Sequence, residues 1–158
     1  MLALTVDRYW EAVHNAFAQW SSVIPLTFID VTRTQEKPDI FLAFSNQLCS
    51  LVCQQVTRTF GAWYAFTNPG ERTVFNTFHQ WAYRDTWKIL SGQYVDFGTV
   101  ALHEIGHHLY IPDEYGSPNS IMRMNTLNRH QRDFYGNYIR PGLQPDDIAT
   151  SQRLYGRR

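Results

Sequence analysis

The sequence predicts an α/β fold, and three observations carry that expectation. Helical periodicity opens the chain from Asp7 to Trp20. Two β-rich runs follow, Leu26 to Val31 and Asp39 to Phe44. Helical patterns then return from Phe97 to Leu109 and after Pro145. Helices and strands mixed along 158 residues fit one domain spanning 1–158 with a sizeable core. Aromatic residues form 15% of the chain, which favours a packed domain over a disordered one.

In the first helix Tyr9, Trp10, Val13, Phe17 and Trp20 recur at three and four, and Thr5 is placed to cap it. Pro25 follows, and Leu26 to Val31 reads as a strand. After the polar connection Thr32 to Pro38, the near-continuous apolar run Asp39 to Phe44 predicts a strand buried on both faces. Ser45 to Arg58 carries no regular signal. Gly61 to Phe66 reads as a strand ended by the turn Asn68-Pro69-Gly70, and Arg72 to Phe78 as another short strand.

Asp96 is a good N-cap for a proline-free helix from Phe97 to Leu109, whose Phe97, Val100, Ala101 and Ile105 share a face. Gly106 is its one poor helix former, and the missing side chain predicts that another segment packs close there. Ser117 to Arg140 reads as a long loop of the kind that forms binding walls. Pro145-Asp146-Asp147 starts the last helix and Gly156 stops it.

The second predicted helix carries His103-Glu104-Ile105-Gly106-His107, a His-Glu-x-x-His pattern. Residues four apart share a helix face, so His103 and His107 can converge on one zinc ion. Glu104 is placed to take a proton from water in an open coordination position, which implies a hydrolase. A catalytic zinc site needs a third protein ligand. Asp113 is the expected one, because Pro112 ends the helix and lets the chain turn back; Glu114 is the nearest competitor. His108 points about 100° away from His107 round the helix and is a poor candidate.

Net charge is zero, which gives no bulk attraction to nucleic acid or membrane, and no apolar stretch approaches a membrane span. The N-terminus as written shows no secretory signal, so the expectation is either an intracellular protein or a secreted one whose leader has been removed. Cys49 and Cys53 fit one small disulfide loop or two buried thiols equally well.

Several ordered segments together resemble the catalytic domain of a matrixin, within the metzincin zinc proteases. They are Val6-Asp7 through Phe28, Pro38 to Phe44, Val100 to His107, Ser120-Ile121-Met122 and Asp146-Asp147-Ile148 through Gly156. The resemblance implies a small α+β zincin-type domain. Its features would be a twisted, mostly parallel sheet with an antiparallel edge strand, an active-site helix and a C-terminal helix. It further implies that Ser120-Ile121-Met122 is the Met-turn, with Met122 supporting the site from below rather than ligating. Where the family usually places glycine and histidine, this chain has Tyr110 and Asp113. An aspartate third ligand is similar to the snapalysin branch. If the turn needs a positive φ at Tyr110, the tyrosine is strained by roughly 1–2 kcal/mol; otherwise the turn takes another path. The acids and histidines that the family uses for structural zinc and calcium are sparse between Phe44 and Trp81, so neither ion is expected. Only Leu2-Ala3-Leu4 stands where the family has a further strand, so the sheet is expected to be narrower or completed by a partner segment.

The function expected is a zinc-dependent endopeptidase acting on polypeptide substrate. His103, His107 and Asp113 would hold the ion and Glu104 would be general base. Ala62 to Phe66 would pair with extended substrate, and Tyr135 and Tyr138 would line a side-chain pocket. The alternatives are a zincin-fold binding or assembly module with little turnover, and an intracellular peptidase of narrow specificity. An aspartate ligand lowers the site charge by one relative to a third histidine, so bound water should be less acidic. The acidic limb of kcat/KM against pH should therefore move to lower pH in Asp113→His; an unmoved limb would refute this.

Overall fold

The computed structural model describes residues 4–45, 63–123 and 132–158. Cys49 and Cys53, Gly61 and Ala62, and Leu2 and Ala3 lie outside them.

Helix α1, Val6–Val23, buries Ala12, Val13, Ala16 and Trp20 on one stripe. Thr5 sits at its N-cap but its hydroxyl makes no capping bond; its carbonyl instead accepts from Arg8 and Tyr9. Strand β1 is Phe41–Ser45, β2 is Ala65–Asn68 and β3 is Arg72–Asn76. They form a three-stranded sheet in the order β1-β3-β2, with β1 parallel and β2 antiparallel to the central β3. This is the mixed arrangement that the resemblance implies. The Asn68-Pro69-Gly70 turn sets the β2–β3 register, pairing Thr67 with Thr73 and Ala65 with Phe75.

Strand β4, Trp81–Ala82, pairs in parallel with β5, Val95–Asp96, and the short helix α2, Thr86–Leu90, connects them. Elements of two to five residues show no period, so these three carry no readable signal in the sequence. Helix α3, Phe97–His108, follows, and α4, Pro145–Tyr155, ends the fold before Gly156.

Two expectations need correction. Leu26 to Val31 forms no ladder among the described residues. Leu26 and Phe28 do pack on the core, but Ile29 is 79% exposed and Asp30 turns the chain by accepting from the Thr32 amide. The side-chain alternation is present without the pairing that makes a strand. Strand β1 is also not buried on both faces, since Phe41 and Phe44 remain exposed. It lies at the border of the described sheet, where an apolar run gains cover on one side only.

Helix α3 is the centre of the fold, buried along nearly its whole length. Phe97, at its first turn, touches the rings of Tyr9, Phe44, Phe75 and Trp81 at centroid distances of 4.7, 5.6, 4.8 and 5.4 Å. Such ring pairs each add on the order of 1 kcal/mol beyond buried area, so they pin the helix start to α1 and the sheet. Along the helix, the Trp20 indole donates to the Leu102 carbonyl at 3.0 Å. A Cβ built on Gly106 would lie 2.3 Å from Met122 Sδ and 3.0 Å from Trp20 Cζ2. The close approach predicted at this glycine is therefore made by α1 on one side and the Ser120–Met122 turn on the other.

The helix ends in a complete Schellman motif. The Ile111 amide donates to the Gly106 carbonyl at 3.1 Å and the Tyr110 amide to the His107 carbonyl at 2.9 Å. That motif needs a left-handed residue, and Tyr110 takes it with φ 56°. Its hydroxyl reaches over Gly70 in the β2–β3 turn, where an added Cβ would lie 2.7 Å away.

Two stability outcomes follow. Gly106→Ala improves helix propensity by about 1 kcal/mol but forces a contact far inside van der Waals range, and overpacking of this kind costs about 1–3 kcal/mol. Packing wins, and the variant should melt below the parent in a thermal denaturation. Tyr110→Gly should be more stable than Tyr110→Ala by about 1 kcal/mol in urea titrations, because both lose the ring and only glycine relieves the positive φ. Equal stability of the two would refute the strain.

Candidate active site

Helix α3 starts where its sequence says it should. Asp96 accepts from the Gly98 amide at 3.1 Å and from the Thr99 hydroxyl at 2.8 Å. The same carboxylate accepts a short bond from the Tyr138 hydroxyl. Tyr138 thus ties the long loop to the helix start instead of lining a pocket, while Tyr135 stays exposed. Burial first, then the Asp96 charge, raises the Tyr138 phenol well above its usual range, so it stays a donor.

One turn apart on α3, His103 and His107 bring their rings to a centroid distance of 4.6 Å. Each is held through its inner nitrogen. His103 Nδ1 bonds the Ile121 carbonyl at 2.8 Å, and His107 Nδ1 bonds the Ile111 carbonyl at 2.9 Å. A carbonyl only accepts, so Nδ1 carries the hydrogen in both rings and Nε2 keeps its lone pair. Both Nε2 atoms face Asp113 Oδ1, at 3.5 Å from His103 and 3.7 Å from His107. Candidate ligand atoms of the three residues all lie within 4.8 Å of one another.

The donors fit zinc. Ligands about 2.0–2.2 Å from a tetrahedral ion lie roughly 3.4 Å from each other, close to the spacings here. Asp113 Oδ1 is buried and finds no hydrogen-bond partner, as an oxygen reserved for a cation would. Two imidazoles and a carboxylate leave a tetrahedral site one open position. Glu114 is turned elsewhere. Its Oε1 accepts from the Gly116 and Ser117 amides, which lower its carboxyl below the usual range. His108 is also outside the group, with its Nε2 2.9 Å from Thr73 Oγ1. Burial, and secondarily the neighbouring His107, pushes its ring down to about 4.

The support under the site reaches the end of the chain. Met122 is buried against Gly106, and its carbonyl accepts from the Glu114 amide at 2.9 Å. Asp147, in the first turn of α4, accepts from the Ser120 hydroxyl at 2.6 Å and the Ile121 amide at 3.0 Å. The turn that orients His103 is therefore fastened to the last helix. Asp147 was readable only as a helix-start acid, since its second role depends on a segment 26 residues away.

Glu104 is 4% exposed, and its Oε2 accepts from the Thr67 hydroxyl at 2.5 Å. Sequence reasoning missed Thr67. The signal was the turn at Asn68-Pro69-Gly70, which makes Thr67 and Thr73 equidistant neighbours across a hairpin.

Sequence comparisons agree with this geometry. Residues 3–156 match the matrixin family. The chain is 29% identical to Matrix metalloproteinase-C of Caenorhabditis elegans over 97% of this chain and 26% of that protein. It is 31% identical to Matrix metalloproteinase-19 of Mus musculus, over 98% of this chain and 26% of that protein. With Metalloendoproteinase 1-MMP of Arabidopsis thaliana it shares 30% identity, over 97% of this chain and 39% of that protein. The chain spans about a quarter of the first two relatives and two fifths of the third. Matrixins use a catalytic zinc ion, and the donors gathered from α3 and the turn after it suit that ion. A match over nearly all of its length, joined to this arrangement, establishes that the chain belongs to the matrixin family.

Proposed function

We propose that this chain is a zinc-dependent endopeptidase unit in which His103, His107 and Asp113 hold the ion and Glu104 is the general base. The observation that carries the reading is the convergence of two Nε2 lone pairs from α3 and an otherwise unpartnered Asp113 oxygen on one point beside that helix. Zinc, when bound, supplies Lewis acidity for the scissile carbonyl and a more acidic water.

The chain's own groups do the rest. Glu104 follows His103 directly and sits in a nearly dry environment, where its carboxylate takes the proton of the attacking water and later delivers it to the leaving amine. The fixed Nδ1–carbonyl bonds keep the imidazoles from turning, so no reorganisation is needed as charge develops. Substrate enters as an extended strand. Among the described residues β2 is bonded to β3 on one side only, and its other edge offers main-chain groups to a polypeptide.

Zinc content and cleavage of unfolded casein, measured on the parent and on Glu104→Ala, test the reading. The variant should keep its zinc while kcat/KM falls by about 10²–10⁴. Full activity in Glu104→Ala, or a parent that stays zinc-free under saturating supply, would overturn it.

A further inference from the structure

His108 lies next to a proposed ligand yet faces the other way, 5% exposed, between α3 and the sheet. Its Nε2 is 2.9 Å from Thr73 Oγ1, and its buried Nδ1 has no hydrogen-bond partner. Thr73 Oγ1 lies 2.5 Å from Thr67 Oγ1, and Thr67 Oγ1 lies 2.5 Å from Glu104 Oε2. One helix and two strands thus supply four side chains in an unbroken line that ends on the carboxylate.

The line has a direction. A general base must start as a carboxylate, which only accepts hydrogen bonds. Thr67 therefore donates to Glu104, and since a hydroxyl has one hydrogen, it accepts from Thr73. Thr73 has then used its own hydrogen and accepts from Nε2–H of His108. The His108 proton is thereby assigned to Nε2, and Nδ1 is left as a bare lone pair. The direction of the line alone makes this assignment; Nδ1 is buried without a hydrogen-bond partner of either kind.

We propose that His108, Thr73 and Thr67 form a positioning chain for Glu104, committing Oε2 to the sheet and leaving Oε1 to receive the proton of water. The proposal rests on Glu104 being the general base. A base must be held within hydrogen-bond reach of its proton, and a carboxylate free to rotate loses part of that alignment. Each bond in the line also polarises the next. None of the three residues touches substrate or metal in this scheme; they act through Glu104.

The experiment uses Thr67→Val, which keeps shape and removes the hydroxyl, and Thr67→Ser, which restores it. Thr67→Val should lower kcat about tenfold or more, with KM and zinc affinity within about twofold of the parent. Thr67→Ser should return kcat to within about threefold of the parent, and Thr73→Val should move kcat in the same direction as Thr67→Val. Independently of any variant's folding, long-range proton–nitrogen spectra of the unmodified, metal-free protein should show His108 protonated at Nε2. A Thr67→Val enzyme with unchanged kcat, a loss that serine does not rescue, or a His108 ring protonated at Nδ1 would each overturn the chain. Glu104→Gln separates the two levels. If it is inactive while Thr67→Val matches the parent, only the positioning chain falls; if it stays active, the general-base reading falls and the chain with it.

Discussion

Two hydrogen bonds from ring nitrogens to main-chain carbonyls govern this molecule: His103 to Ile121 and His107 to Ile111. Helical spacing alone puts two imidazoles on one side, but leaves each free to spin and to carry its hydrogen on either nitrogen. The carbonyls remove both freedoms. Neither carbonyl is part of α3. One is reached by the chain reversing sharply after the helix, the other by a turn that passes beneath it. The structure around α3 can be understood as what is needed to bring those two oxygens to the right places.

The reversal uses the Schellman ending with Tyr110 in the left-handed region, and the same turn delivers Asp113. The turn beneath requires a helix face without a side chain, so that Met122 and Trp20 can both close on Gly106. Fixing these contacts takes a rigid helix, and the aromatic cluster around Phe97 together with the Trp20–Leu102 bond supplies that rigidity. Packing and chemistry meet on one element, which leaves little room to vary either separately.

Features that act over one or two turns of chain were plain in the sequence. The Asp96 cap, the bounds of α3, the bare face at Gly106 and the proline start of α4 each depend on neighbours within about four residues. The third member of the candidate metal group was half readable. Pro112 announced a turn, but Asp113 and Glu114 could be told apart only once the Gly116 and Ser117 amides were seen to occupy Glu114. Leu26 to Val31 has a strand's alternation, but strand pairing depends on a partner and not on the segment itself. Strands β4 and β5 are too short to have a pattern. Thr67 and Thr73 matter through a contact with α3 that no local rule anticipates. The left-handed tyrosine is a case where composition alone misleads, because the motif's hydrogen bonds hold a residue where glycine would sit more easily.

The Asp147 carboxylate has a thermodynamic consequence. It stands at the start of α4, yet only the residue Ile121, whose amide it holds and whose carbonyl holds His103, separates it from that ring. With His103 as the proposed ligand, docking of α4 and affinity for an ion would be linked through Ile121, each strengthening the other by the same factor. Loosening of the first turn of α4 would therefore weaken the hold on an ion at the site proposed here.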